Sequence, residues 1–164
     1  EGEGTAFCSG RDPSAVRVPG IPPAGARLID DIDQSPITWI AAVDGDVRGP
    51  GIHLVTVCAH VVAGPKARFR VPELLNGVYP RPVAAELTSI VGARRTMALL
   101  LTGGAIEAEE AVRAGLAGEL AAEGEVTSVA LQRAQTLMDL GPELLATTRE
   151  GWRSRFESVP VPQA

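Results

Sequence analysis

Few side chains in this 164-residue chain suit chemistry near neutral pH: two histidines, two cysteines and carboxylates drawn from 20 acidic residues. His53 could exchange a proton, because imidazole titrates nearest to neutrality. It lies among Ile52, Leu54 and Val55, so a packed core histidine is the plainer reading of the residue taken alone. Cys8 and Cys58 make neither a metal-ligand spacing nor a disulfide framework. Cys8 has no basic neighbour in sequence to activate its thiol. Gly49-Pro50-Gly51 precedes an apolar run. Proline suits the first positions of a helix, but it has no N–H to offer a ligand. Glu109 and Glu110 stand near the start of a predicted helix, where acids offset the dipole, and this accounts for them without catalysis.

The elements that must position these residues follow from periodicity and punctuation. Residues 1–27 are broken by Gly and Pro and read as loop. A short helix is predicted over 26–34, with Leu28, Ile29 and Ile32 on one face. Ser35-Pro36 stops it. Ile37–Val43 is an apolar, β-branched run of strand length, consistent with burial on both faces. Asp44-Gly45-Asp46 reads as a turn, and Ile52–Ala59 as a buried helix. Val61–Ala63 and Arg68–Val71 are strand candidates on either side of Gly64-Pro65. Helical spacing then recurs over 83–91, 93–102, 107–114, 126–140 and 143–153. Gly92, Gly103-Gly104, Gly115 and Gly141-Pro142 separate these segments as helix stops do. Strands first and helices afterwards point to an α/β or α+β fold.

Composition narrows the function. Hydrophobic residues make up 45% and charged residues 21%, as in globular domains and unlike disordered chains. Aromatics are only 4%, so the core must be built from Ala, Val, Leu and Ile. The net charge of −5 argues against a generic nucleic-acid binder. No apolar run approaches the roughly 20 residues of a membrane helix. Glu1-Gly2-Glu3-Gly4 has neither a basic n-region nor an apolar h-region. The expectation is a reducing, cytoplasmic setting with no nucleic acid, membrane or metal as partner.

Four stretches, in order, resemble the crotonase superfamily, the enoyl-CoA hydratase/isomerase family. Ala6-Phe7-Cys8-Ser9-Gly10-Arg11-Asp12 is similar to its A-F-[CAS]-[AS]-G-x-D loop. Ile40–Gly45 followed by Gly49-Pro50-Gly51-Ile52-His53-Leu54 resembles A-A-[VI]-[ND]-G…G-G-G-x-E-[LI]. Ala67-Arg68-Phe69 to Pro72-Glu73, then Gly77 to Pro80, is similar to A-x-F-x-x-P-E-x-x-x-G-x-x-P. Leu99–Gly104, Ala108–Ala111 and Gly115-Leu116 resemble the L-L-T-G…A-x-E-A-x-x-x-G-L run. The resemblance implies a ββα spiral with a C-terminal helical part: a core over 1–117 and a helical region over 118–164 with a frayed tail. Relatives usually carry a further segment of strands and a helix before the first loop. Only Glu1–Thr5 precede it here, so the chain is expected to begin in mid-fold.

The resemblance also implies a ligand, an acyl thioester of coenzyme A or of a carrier protein. Coenzyme A enters as part of the substrate, with no separate cofactor. A homotrimer or hexamer is implied as well. The shared chemistry holds a thioester enolate with two backbone N–H groups. One maps to Cys8, in a loop with Gly10 and Asp12 that meets the adenine moiety and where Arg11 could meet a phosphate. The other maps to the middle of Gly49-Pro50-Gly51, which is Pro50 and has no N–H; Gly51 could offer its own after a local shift. The two carboxylates of hydratases map to His53 and Glu73. His60 stands where relatives often carry Asp and reads as structural. Two functions stay open: hydratase/isomerase-like lyase chemistry, or a degenerate acyl-CoA-binding or accessory subunit.

Overall fold

The computed structural model describes residues 5–11 and 24–154, apart from the side chain of Arg153. The strands are β1 (Ala6–Cys8), β2 (Ile40–Val43), β3 (Asp46–Arg48), β4 (His60–Ala63), β5 (Arg68–Arg70), β6 (Ala105–Glu107) and β7 (Glu119–Leu120). The helices are α1 (Ala24–Gln34), α2 (Pro50–Val57), α3 (Arg81–Val91), α4 (Ala93–Thr102), α5 (Ala108–Arg113), α6 (Val126–Met138) and α7 (Pro142–Arg153), with a 3-10 turn over Glu73–Asn76.

Two successive ββα turns make the spiral. β2, β3 and α2 form one turn, and β4, β5 and α3 stack beside it. Stacking pairs β2 with β4 in parallel, Ile40 opposite His60, and β3 with β5, Asp46 opposite Arg68. One sheet runs β1-β3-β5-β6, with β6 antiparallel; the other runs β2-β4-β7. The spiral predicted from the resemblance is therefore the observed architecture.

Strand alternation explains why β2, and β4 after His60, are apolar. Successive side chains point to opposite faces. Ala41, Val43, Val61 and Ala63 enter the main core, while Ala42 and Val62 face a smaller cluster with Ala121, Val126 and Ala130. The main core gathers Ile52 of α2, Phe69 of β5, Leu87 of α3, Leu100 of α4 and Ile106 of β6, all at most 2% exposed. Each such side chain stabilises the fold by about 1.5–3 kcal/mol.

Arg149 of α7 joins the C-terminal helical part to the core. Its side chain is buried and donates to the carbonyls of Val57 at 2.8 Å, Ile32 at 3.0 Å and Asp33 at 3.3 Å. These carbonyls belong to the last turns of α1 and α2, where the helix leaves them without intrahelical partners. A cation there also suits the dipole of both helices.

Several local expectations needed adjustment. The strand expected from Ile37 begins at Ile40, and Ile37 is 61% exposed. Asp46, read as part of a turn, starts β3. β1 lies within the stretch read as loop, and β6 and β7 passed unread. Each owes its existence to the strand beside it rather than to its own two or three residues. The tail over 159–164 lies outside the described residues.

Candidate active site

The site forms where β1, β3 and β5 end around the first turn of α2. β3 runs into α2 with one residue between them, Gly49, which caps the helix. Gly49 has φ +53°, a conformation that favours glycine. Its N–H donates to the carbonyl of Arg70 at 3.0 Å, which ties the helix start to the end of β5. Two residues after Arg70, Pro72 turns the chain into the 3-10 turn that Glu73 opens. The Glu73 carboxyl is thereby laid over Gly49 so closely that a Cβ at position 49 would overlap its Oε1.

The Glu73 side chain is only partly open to solvent. Its Oε2 is buried and has no hydrogen-bond partner among the described residues. Burial pushes its carboxyl above the ordinary value, partly opposed by a backbone hydrogen bond of its own residue. Burial that favours the neutral form suits a carboxyl to giving a proton and taking it back.

Cys8, at the end of β1, meets the helix start from the other side. A Cβ on Gly51 would lie 2.8 Å from Cys8 Cβ and 3.1 Å from its Sγ, so only glycine lets the strand end approach α2 this closely. Gly10 sits over Arg48, 3.6 Å from its carbonyl oxygen by the same construction. Pro50 occupies the first position of α2 and is exposed. It brings no N–H. The Ile52 N–H donates to Gly49, and the Gly51 N–H has no acceptor among the described residues. Five expected residues, Cys8, Gly10, Gly49, Pro50 and Gly51, thus gather with Glu73 about one helix terminus. Asp12 lies outside the described residues. Arg11 is exposed.

His53 stands one turn along α2 from Gly49, on the same side by the spacing of four. Its Nε2 lies 2.8 Å from Oε1 of Glu86 on α3. The Thr56 hydroxyl is bonded to the other oxygen of that carboxyl. Glu86 and Thr56 are 8% and 2% exposed. Sequence reasoning passed over both. The available signal was Glu86 itself, a carboxylate on the stripe that Val83, Leu87 and Ile90 make along α3. His60 has a different setting: its ring meets Glu119 at 2.9 Å, and Arg133 grips the same carboxyl at 2.7 Å. Arg133 above all holds Glu119 down at about 2. This network bridges β4, β7 and α6 and has the structural role expected of His60.

Cys58 is buried, and burial pushes its thiol up to about 11, so it is inert. Among the described residues no group of three His, Cys, Asp or Glu side chains could hold a metal, and no helix is long and apolar enough to cross a membrane. An apolar cleft of about 450 Å³ opens between β2, α6 and α7, lined by Ile37, Trp39, Leu131, Met138 and Leu145 among others. None of the candidate residues lines it.

Comparison with known proteins agrees with this geometry. The profile of the enoyl-CoA hydratase/isomerase family matches residues 1–163. The mitochondrial enoyl-CoA hydratase of Pongo abelii is 33% identical over 129 residues, which are 78% of this chain and 44% of that protein. The crystal structure of an enoyl-CoA hydratase/isomerase from Cupriavidus metallidurans CH34 superposes with a TM-score of 0.76 at 32% identity, over 82% of this chain and 51% of the other. One from Marinobacter aquaeolei gives 0.68 at 31% identity, over 77% and 48%. The chain spans about half the length of these relatives. A ββα spiral with the loop, the glycine-capped helix and the Pro-Glu turn in family order leaves one conclusion: the chain belongs to the enoyl-CoA hydratase/isomerase family, the crotonase superfamily.

Proposed function

We propose that this chain binds an acyl thioester of coenzyme A or a carrier protein and acts on the carbon beside its carbonyl through an enolate. The reaction is hydratase/isomerase-like lyase chemistry. The N–H groups of Cys8 and Gly51 face the thioester oxygen, and the dipole of α2 adds to their pull. Glu73 moves the proton and His53 assists. Gly10 and Asp12 belong to the loop that holds the nucleotide. Coenzyme A comes with the substrate, and no further cofactor is needed. The chain works as a homotrimer or hexamer. The two cysteines, both free thiols, suit the reducing cytoplasm.

One observation carries this reading: the Glu73 carboxyl, with a buried and unpartnered oxygen, lies directly on the glycine that starts α2. A carboxyl needed only for solubility would point to water. The test is exchange of the acyl α-hydrogen for deuterium, with Glu73→Gln as the control for binding without proton transfer.

Pro50 supports a second reading, that of a degenerate subunit that binds acyl-CoA with little turnover. A missing oxyanion donor costs about 10²–10³ in rate. Unimpaired binding beside absent exchange in the unaltered chain selects this reading.

A further inference from the structure

The sheet β1-β3-β5-β6 carries a charged cluster on the face turned from the core. Val47 and Phe69 fill the core, so alternation puts Asp46, Arg48, Arg68 and Arg70 on the opposite face. Parallel pairing sets Asp46 opposite Arg68 and Arg48 opposite Arg70. Antiparallel pairing adds Glu107 opposite Arg68 and Ala105 opposite Arg70. Both carboxylates are taken. Asp46 is held by Arg48, and Glu107 by Arg68 through contacts of 3.1 Å. Arg70 is left over.

The Arg70 side chain is half-buried, and its Nε is buried without a hydrogen-bond partner. Among the described residues its guanidinium makes no ion pair. Nor is it spent on Glu73: burial raises that carboxyl, and no cation offsets the effect. Like charges at paired positions destabilise a sheet, and a sheltered donor without an acceptor loses its hydration for nothing in return. An oxyanion beside Arg70 removes both penalties. The planar fork of a guanidinium matches a carboxylate with two parallel hydrogen bonds.

The position of Arg70 bears on where that oxyanion comes from. Arg48 and Arg70 end β3 and β5, and open α/β sheets bind ligands at the carboxyl ends of their strands. The Arg70 carbonyl accepts the N–H of Gly49, the residue under the Glu73 carboxyl. On the other side Ala105 sets only a methyl group beside Arg70. Gly103, two residues earlier, lies against Leu75 and Pro72 of the turn that carries Glu73. Arg70 is thus rooted at the reacting centre, whereas the phosphates of coenzyme A lie at the far end of the pantetheine arm. The geometry points to Arg70 as a specificity residue: it binds a carboxylate at the far end of the acyl group, so that the chain prefers thioesters of dicarboxylic acids to those of simple fatty acids. This rests on the thioester reading above.

Calorimetry on the full chain with butyryl-CoA, succinyl-CoA and glutaryl-CoA tests the proposal. At least one of the two carboxylated thioesters should bind about 10-fold or more tightly than butyryl-CoA, the scale of a hydrogen bond to a charged group. Arg70→Gln should bring it down to the level of butyryl-CoA. Arg70→Lys keeps the charge without the fork and should keep only part of the preference. Arg68→Gln removes the same charge from the same face and should keep all of it. Equal affinity of the unaltered chain for the three ligands overturns the proposal and leaves the thioester reading standing. A preference that survives in folded Arg70→Gln, or that Arg68→Gln abolishes as well, overturns it too. An equal loss for all three ligands in Arg70→Gln assigns the residue to a coenzyme A phosphate and overturns the acyl role. If no acyl-CoA binds, the thioester reading falls and the proposal with it.

Discussion

Gly49 and Glu73 touch: the backbone at the start of α2 lies against the carboxyl of the 3-10 turn, with no room for a methyl group between them. The contact follows from the parallel pairing of β3 with β5, which sets Arg48 opposite Arg70 and brings the two strand ends together. The ββα spiral thereby delivers a helix terminus and a carboxyl to the same point.

Gly49→Ala is expected to displace the Glu73 side chain and to place alanine at φ +53°. The backbone strain costs about 1–2 kcal/mol. Proton transfer should fall by more than that loss of stability explains. Urea denaturation beside a turnover assay checks this, and equal activity at reduced stability would show that the carboxyl position is unimportant.

The raised Glu73 value sets a pH dependence of stability. Burial makes the folded state hold its proton more tightly than the unfolded chain does. The folded state therefore binds more protons in the window between the ordinary carboxylate value and the raised one. The Glu73 contribution is fully present below that window and is lost as pH rises through it. Glu73→Gln keeps the shape and cannot ionise. Relative to the unaltered chain, the variant should gain stability as pH rises from 4 to 8. Chemical denaturation across that range measures the difference, and a flat difference would contradict it.

Arg149→Met should lower stability by about 2–4 kcal/mol. The variant keeps the apolar stem and removes the guanidinium from the carbonyls of Val57, Ile32 and Asp33, of which Ile32 retains the Ser35 N–H at 3.3 Å. The midpoint of urea unfolding reads this directly. A change below about 0.5 kcal/mol would mean that α7 is not locked to the core through this side chain.

Pro50→Gly returns an N–H to the position where the family places its second donor. Enoyl-CoA hydration should rise, by up to about 10²–10³ if the donor regains full effect. Glycine at this site should also lower stability by about 0.4–1 kcal/mol through the unfolded chain. Unchanged hydration would assign the second donor to Gly51 alone.

Much of the frame was legible in the residues. The apolar run in β2 told of burial on both faces, and Gly-Pro-Gly of a helix start. The glycines at 92, 103 and 141 divided the later helices as expected. What escaped notice depends on distant partners. β3 is three residues long and exists because β1 and β5 flank it. Arg149 is fixed by main-chain carbonyls 92 and 117 residues away in sequence, and carbonyls leave no trace in a sequence. Glu86 meets Thr56 across 30 residues; only its place on an apolar stripe hinted at a buried partner. Cys8, Gly10, Gly49, Pro50, Gly51 and Glu73 lie about one helix start because their motifs mark the ends of strands that the spiral stacks.

The central claim is that Glu73 moves a proton on a bound acyl thioester. Its most direct measurement is the rate at which the α-hydrogen of a saturated acyl-CoA exchanges in D₂O, with affinity measured in parallel by calorimetry. The unaltered chain should catalyse exchange. Glu73→Gln should bind the same acyl-CoA with similar affinity and exchange at least about 10²-fold more slowly. Equal exchange rates in the two proteins at equal affinity would contradict the claim and remove Glu73 from the chemistry.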